Sequence, residues 1–196
     1  MKKIILCCGI LYASFCNAQI PKGVKFISGQ IGYSSVTDNA ANTKTESFKI
    51  LPAFGYYFAP NWAIVGSLGY KNDTSESGNS KDISSDFVVM PSLRKFWVLD
   101  EKFSLFGQLD FPLEFGKRKT ENANSKTEND YFSYGISLKP GIDYALNKHW
   151  KIAATVGEIG YSSSKKEHID GAKNNFNFGL NFTSVNFALK YILPRK

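Results

Sequence analysis

At 196 residues, 43% hydrophobic and 21% charged, the chain is long enough for one domain with a sizeable core. The formal charge of +7 comes from scattered Lys and Arg, without the basic stripe that nucleic-acid binding needs, so no nucleic-acid partner is expected. The three cysteines, Cys7, Cys8 and Cys16, all lie near the N-terminus, and the rest of the chain can form neither a disulfide framework nor a thiolate metal site.

Lys2-Lys3 begins the sequence as a short basic segment. Ile4 to Phe15 is apolar, and Cys16-Asn17-Ala18 supplies small residues before Gln19. This reads as a secretory signal over residues 1–18, with residues 19–196 as the exported domain. The apolar stretch is shorter than the ~20 residues of a spanning helix, and no later run is long enough either.

From there the pattern is one of strands. Sixteen glycines and 15% aromatics accompany a period-2 alternation. Strands are expected at about 24–35, 47–58, 61–71, 84–98, 103–117, 131–146, 149–162 and 175–193. In the second, Phe48, Ile50, Phe54, Tyr56 and Phe58 share a face; in the third, Trp62, Ile64, Leu68 and Tyr70 do. In the fifth, Leu105, Leu109, Phe111, Leu113 and Phe115 oppose Ser104, Gln108, Asp110 and Glu114, with Phe106 the exception on the polar side. The sixth sets Phe132, Tyr134, Ile136, Leu138, Ile142 and Tyr144 against Ser133, Gly135, Ser137, Lys139, Gly141 and Asp143. In the seventh, strict alternation from Trp150 points Glu158 outward, which requires either a bulge near Gly157 or a position above the hydrocarbon. The eighth changes phase between Phe182 and Val185, which predicts a bulge at Thr183-Ser184.

Short connections (Ala59 to Asn61, Leu99 to Lys102, Asn147-Lys148) alternate with long polar ones: Val36 to Glu46, Asn72 to Ile83, Arg118 to Asp130 and Ser163 to Asn174. Leu51-Pro52, Met90-Pro91 and Lys139-Pro140 recur before the short turns. Because proline removes a ladder donor, each predicts a local bulge.

The fold expected is all-β: an eight-stranded antiparallel up-and-down transmembrane β-barrel. Its polar face would be a lumen network of Lys49, Arg94, Gln108, Asp110, Glu114, Lys139, Asp143 and Lys190, since a barrel of this size is just filled by side chains. Trp62, Trp97, Trp150, Tyr144 and Tyr191, with Phe58, Phe96 and Phe103, would form an aromatic girdle near the short turns. Tyr33, Tyr70 and Tyr131 would belong to a second girdle near the long loops.

The pattern resembles the bacterial outer-membrane β-barrel family of the OmpA transmembrane domain and OmpX. The resemblance rests on the signal, the eight alternating strands, Met90-Pro91-Ser92-Leu93-Arg94-Lys95-Phe96-Trp97, and Val185-Asn186-Phe187-Ala188-Leu189-Lys190-Tyr191. The last strand is similar to the signal read by the barrel-assembly machinery, though it ends in Leu193-Pro194-Arg195-Lys196 instead of a terminal Phe. The resemblance implies an outer-membrane location, a lipid environment, that machinery as a partner during biogenesis, a monomer, and loops facing an outside partner whose chemistry the sequence does not disclose.

Neither a catalytic residue nor a cofactor or metal site is assigned. Of the two histidines, His149 lies in a short turn, and His168 follows Ser162-Ser163-Ser164 in a polar loop. That Ser/His cluster is the one candidate for a lipid A-modifying enzyme. A secreted soluble lipid-binding barrel is the other alternative to a non-enzymatic scaffold.

Overall fold

The computed structural model describes residues 19–122, 125–166, 171–179 and 185–194. The described residues carry strands and turns and no helix. Eleven ladder segments make eight barrel strands: β1 (Lys25–Asp38), β2 (Thr43–Ala59), β3 (Trp62–Ser77), β4 (Ser80–Val98), β5 (Phe103–Asp110 and Leu113–Asn122), β6 (Ser125–Ala145), β7 (Trp150–Val156 and Glu158–Lys166) and β8 (Ala172–Gly179 and Val185–Ile192). Each strand pairs antiparallel with its sequence neighbour, and β1 pairs with β8 from Phe26–Ile192 to Gly29–Leu189 to close the barrel.

The alternation has the predicted consequence: Ile27, Phe54, Ile64, Phe87, Leu105, Ile136 and Leu189 are exposed on the outer wall, and their neighbours face in. Large apolar groups facing outward all round are stable only against hydrocarbon.

The strands run well past the expected ends. The connections at Val36 to Glu46, Asn72 to Ile83 and Arg118 to Asp130 are mostly ladder, with Thr43 opposite Asp38, Ser77 opposite Ser80, and Asn122 opposite Ser125. Ser163 to Lys166 likewise extends β7. Both faces of these extensions are mostly polar, so they carry no apolar alternation to reveal them. Charge pairs support them instead: Lys81–Glu76 at 2.7 Å and Lys126–Glu121 at 2.5 Å cross between strands, and Lys44–Glu46 at 3.1 Å runs along one face of β2.

The proline bulges are corrected in two places of three. At Pro52 the ladder toward β3 skips Leu51 and Pro52 and resumes in the same register; at Pro91 the pause is toward β5, again without a shift. The Pro91 carbonyl accepts from the Phe111 amide at 3.0 Å, so its nitrogen also points toward β5, where Phe111-Pro112 interrupts the ladder. A proline costs one bond there without moving the register. Across from Pro140 the register does slip: Leu138 pairs with Ile159 but Gly141 with Thr155, and the extra residue lies at Gly157, whose φ is +66°. Only glycine adopts that conformation without strain. The expected bulge at Thr183-Ser184 falls outside the described residues.

Candidate functional site: the lumen

The base of the barrel is filled by an aromatic layer. Phe26, Tyr57, Phe96 and Phe106 are buried, with successive ring centroids 5.6, 5.4 and 5.5 Å apart. Ala63, Val65, Ala153 and Ala188 pack with them, and Ile20 and Val24 close the layer from below. The segment that carries Ile20 is tied to the first short turn by Ile20 N donating to Asn61 Oδ1 at 2.7 Å and by Gly23 N donating to the Tyr57 carbonyl at 2.8 Å. Two rings fit because the facing residues are glycine: a Cβ on Gly55 would sit 2.1 Å from the Phe26 ring, and one on Gly141 2.3 Å from Phe106.

The polar network rests on this layer. Lys190 Nζ is 2.7 Å from Asp143 Oδ2, and Lys151 approaches the same oxygen at 3.7 Å. Asp110 accepts from Ser92 and Gln108 at 2.5 Å each and pairs with Lys139 at 3.1 Å. Lys139 also reaches Glu158 at 3.5 Å, which the Gly157 bulge turns inward. The Arg94 guanidinium lies 5.2 Å over the Phe106 ring, with Nε and Nη1 buried and lacking a protein hydrogen bond.

Above lies a chamber of about 350 Å³, lined by Lys49, Lys71, Glu114, Lys139 and Glu158 among others. The structure therefore brings Arg94, Gln108, Asp110, Lys139, Asp143 and Lys190 onto one connected inner surface and places Lys49 and Glu114 on the chamber wall. Sequence reasoning missed Asp86, which is buried and accepts from the Tyr131 hydroxyl while Ser84 contacts both. It also missed Lys71, which pairs with Asp73 at 2.8 Å. The inward parity of Ser84 and Asp86, four and two residues before the inward Val88, was the available signal.

Two aromatics leave their expected girdle. Tyr131 is inward, because it precedes the outward Phe132 and its hydroxyl is held by Asp86 and Ser84. Phe96 is inward between Arg94 and Trp97 and belongs to the basal layer. Trp62, Trp97 and Trp150 are exposed on the outer wall beside the short turns, with Tyr144 against Phe103 and Tyr191 against Trp150. Tyr33 and Tyr70 are exposed higher up.

His149 stacks on Tyr191 at the short-turn rim, its Nδ1 3.2 Å from the Ile192 carbonyl. His168 and residues 1–18, expected from the sequence to be a leader, lie outside the described residues. Among the described residues no cluster of His, Cys, Asp and Glu suited to a metal is present.

Comparison with known proteins agrees with this geometry. The fold is similar to that of Ail, the attachment invasion locus protein of Yersinia pestis, at 18% identity over 88% of this chain and 99% of that one, with a TM-score of 0.51. It is also similar to Neisserial surface protein A, at 11% identity over 89% of this chain and 99% of that one, with a TM-score of 0.45. Comparison with curated proteins finds no match. The family described as outer membrane protein beta-barrel domain matches residues 4–191. With nearly the whole chain matched and the apolar wall, inward charges and barrel closure in place, this protein belongs to that family of outer-membrane β-barrels.

Proposed function

We propose that the protein is a non-enzymatic, monomeric barrel of the outer membrane, delivered by a cleaved leader and the barrel-assembly machinery, with a lumen closed to solutes and outward hairpins that contact partners. The observation that carries this reading is the basal layer. Four aromatic rings, three alanines and the Lys190–Asp143 pair occupy the inner cross-section, which in a barrel of eight strands is only wide enough for side chains. At the other end, hairpins laced by Lys–Glu pairs suit recognition of a polar surface. Surface attachment, the role carried in the name of the Yersinia protein, is an interaction of that kind.

Planar-bilayer recording of the refolded full chain tests the closed lumen. Insertion without stepwise conductance is expected, and steady ohmic steps overturn the reading.

A further inference from the structure

The lipid-facing side of β4 carries a charge where apolar groups are the rule. Phe87, Val89, Pro91, Leu93 and Trp97 point outward, and Lys95 stands half-buried among them, while Arg94 and Phe96 point in. The sheet is continuous at this level, with Trp62 opposite Lys95 on β3 and Gly107 opposite it on β5. The ammonium lies 5.0 Å from the centre of the Trp62 ring. Trp62 is the first residue of β3 and Val98 the last of β4, so Lys95 stands near the short-turn rim. A lysine on the lipid face is costly at mid-bilayer but tolerated within reach of the headgroups, toward which its flexible stem can extend.

The wall beside this lysine is dented. Gly107 lies opposite Pro140 of β6, and a Cβ on Gly107 would meet only the Trp97 ring, at 3.6 Å. The dent is thus floored by Gly107 and Pro140, walled by an indole and flanked by an ammonium. Its surroundings do not neutralise that charge. Trp62, Leu93, Trp97 and Gly107 are apolar, and the Trp62 ring attracts a cation without replacing an anionic partner. Asp100, in the turn below, is committed to its own loop, accepting from the Lys102 and Phe103 amides at 2.7 Å each.

We propose that Lys95, Trp62 and the Gly107–Pro140 dent bind an anionic glycerophospholipid of the leaflet at the short-turn end. Its phosphate meets the Lys95 ammonium, and the upper part of one acyl chain lies in the dent beside Trp97. Charge complementarity selects a lipid of net negative charge. An aminophospholipid would bring an ammonium of its own, and the residues flanking Lys95 offer no carboxylate to receive it. The inference rests on the barrel lying in a bilayer and not on the lumen being closed.

The test uses the full chain refolded in phosphatidylcholine vesicles, its folding checked by heat-dependent gel migration. The probe is phosphatidylglycerol with two bromines high on one acyl chain, which quench a nearby indole. It is added as a minor component and compared with phosphatidylcholine brominated in the same way. Trp150→Phe leaves Trp62 and Trp97 to report on the site, and Trp62→Phe with Trp97→Phe leaves Trp150 to report on the opposite wall. At the site the glycerol lipid is expected to quench with an apparent affinity about five-fold above that of the choline lipid. Lys95→Gln should abolish that preference without altering quenching of Trp150, and Lys95→Arg should keep it. Equal quenching of Trp62 and Trp97 by the two lipids, or a preference that survives Lys95→Gln, overturns the proposal. If Lys95→Gln fails to fold, the chains that keep Lys95 decide: a preference greater at Trp62 and Trp97 than at Trp150 supports the site, and no excess overturns it. Loss of heat-dependent migration in the unaltered protein would overturn the membrane barrel and the site with it, whereas the quenching results bear on the site alone.

Discussion

Lys190 and Asp143 meet at 2.7 Å inside the barrel, both side chains fully buried, while the same ammonium lies 4.9 Å from the ring centres of Phe26 and Phe96. The pair joins the first, fourth, sixth and eighth strands at the level where the barrel closes. Removing one partner strands a charge, since Lys151 at 3.7 Å adds a second cation to the same carboxylate. Asp143→Asn is expected to lower stability by about 3–5 kcal/mol. Asp143→Leu combined with Lys190→Met should recover most of that loss. Urea unfolding from detergent, followed by tryptophan fluorescence, measures both; an equal loss in the double variant contradicts a pairing role.

The basal layer makes a separate claim about permeability. Phe96→Ala removes the ring between Tyr57 and Phe106 and is expected to cost about 3–5 kcal/mol. Combined with Phe26→Ala, it should open a path from the chamber to the short-turn end, read as single-channel steps in a planar bilayer. A folded double variant that stays silent would place the closure elsewhere.

Two glycines of opposite facing give a sharper test of packing. A Cβ on Gly141 would meet the Phe106 ring at 2.3 Å and the Ala154 carbonyl at 2.7 Å, whereas one on Gly66 meets nothing within 4 Å. Gly141→Ala is expected to destabilise by about 1–3 kcal/mol through overpacking, and Gly66→Ala to be near neutral. The same urea titration compares them, and equal effects would contradict the inward layer.

Much of this was legible in the sequence, for a physical reason. Where one wall meets hydrocarbon and the other a charged interior, every second residue must change character, so Phe132 to Leu146 discloses its own facing. Glu158 broke the rule, and Gly157 beside it resolved the conflict. The ends of the strands were hidden because Lys44, Thr120 and Lys126 belong to stretches that are mostly polar on both faces and carry no apolar alternation. Tyr131 and Phe96 were misplaced because residue type suggested a girdle while parity pointed inward. Pro52 and Pro91 misled in another way: losing a donor interrupts one bond, and continuous pairing on the other flank holds the register.

At the hairpin tips, outside the membrane, pH should act through Glu46. Hydrogen bonds from Lys44 and then Tyr33 hold its carboxyl below the usual glutamate range. A lowered folded value means the pairing is fully present above the ordinary titration range near ~4.3 and is lost as pH falls through the folded value. Carboxyl NMR titration should give a midpoint below that range, moved upward by Tyr33→Phe. An ordinary midpoint in the unaltered chain contradicts the contact.

Depth along one strand separates lipid contact from water contact. Ile136→Arg, on the outer wall of β6, is expected to cost about 2–4 kcal/mol. Thr127→Arg, on the exposed extension of the same strand, should cost close to nothing. Equal effects at the two sites would contradict the assigned membrane level.

The most direct measurement of the central claim is fractionation of expressing cells with heated and unheated gel migration. The account expects the protein in the detergent-insoluble outer envelope, running at one position unheated and another after boiling. Recovery as a soluble monomer with unchanged migration would contradict an outer-membrane barrel.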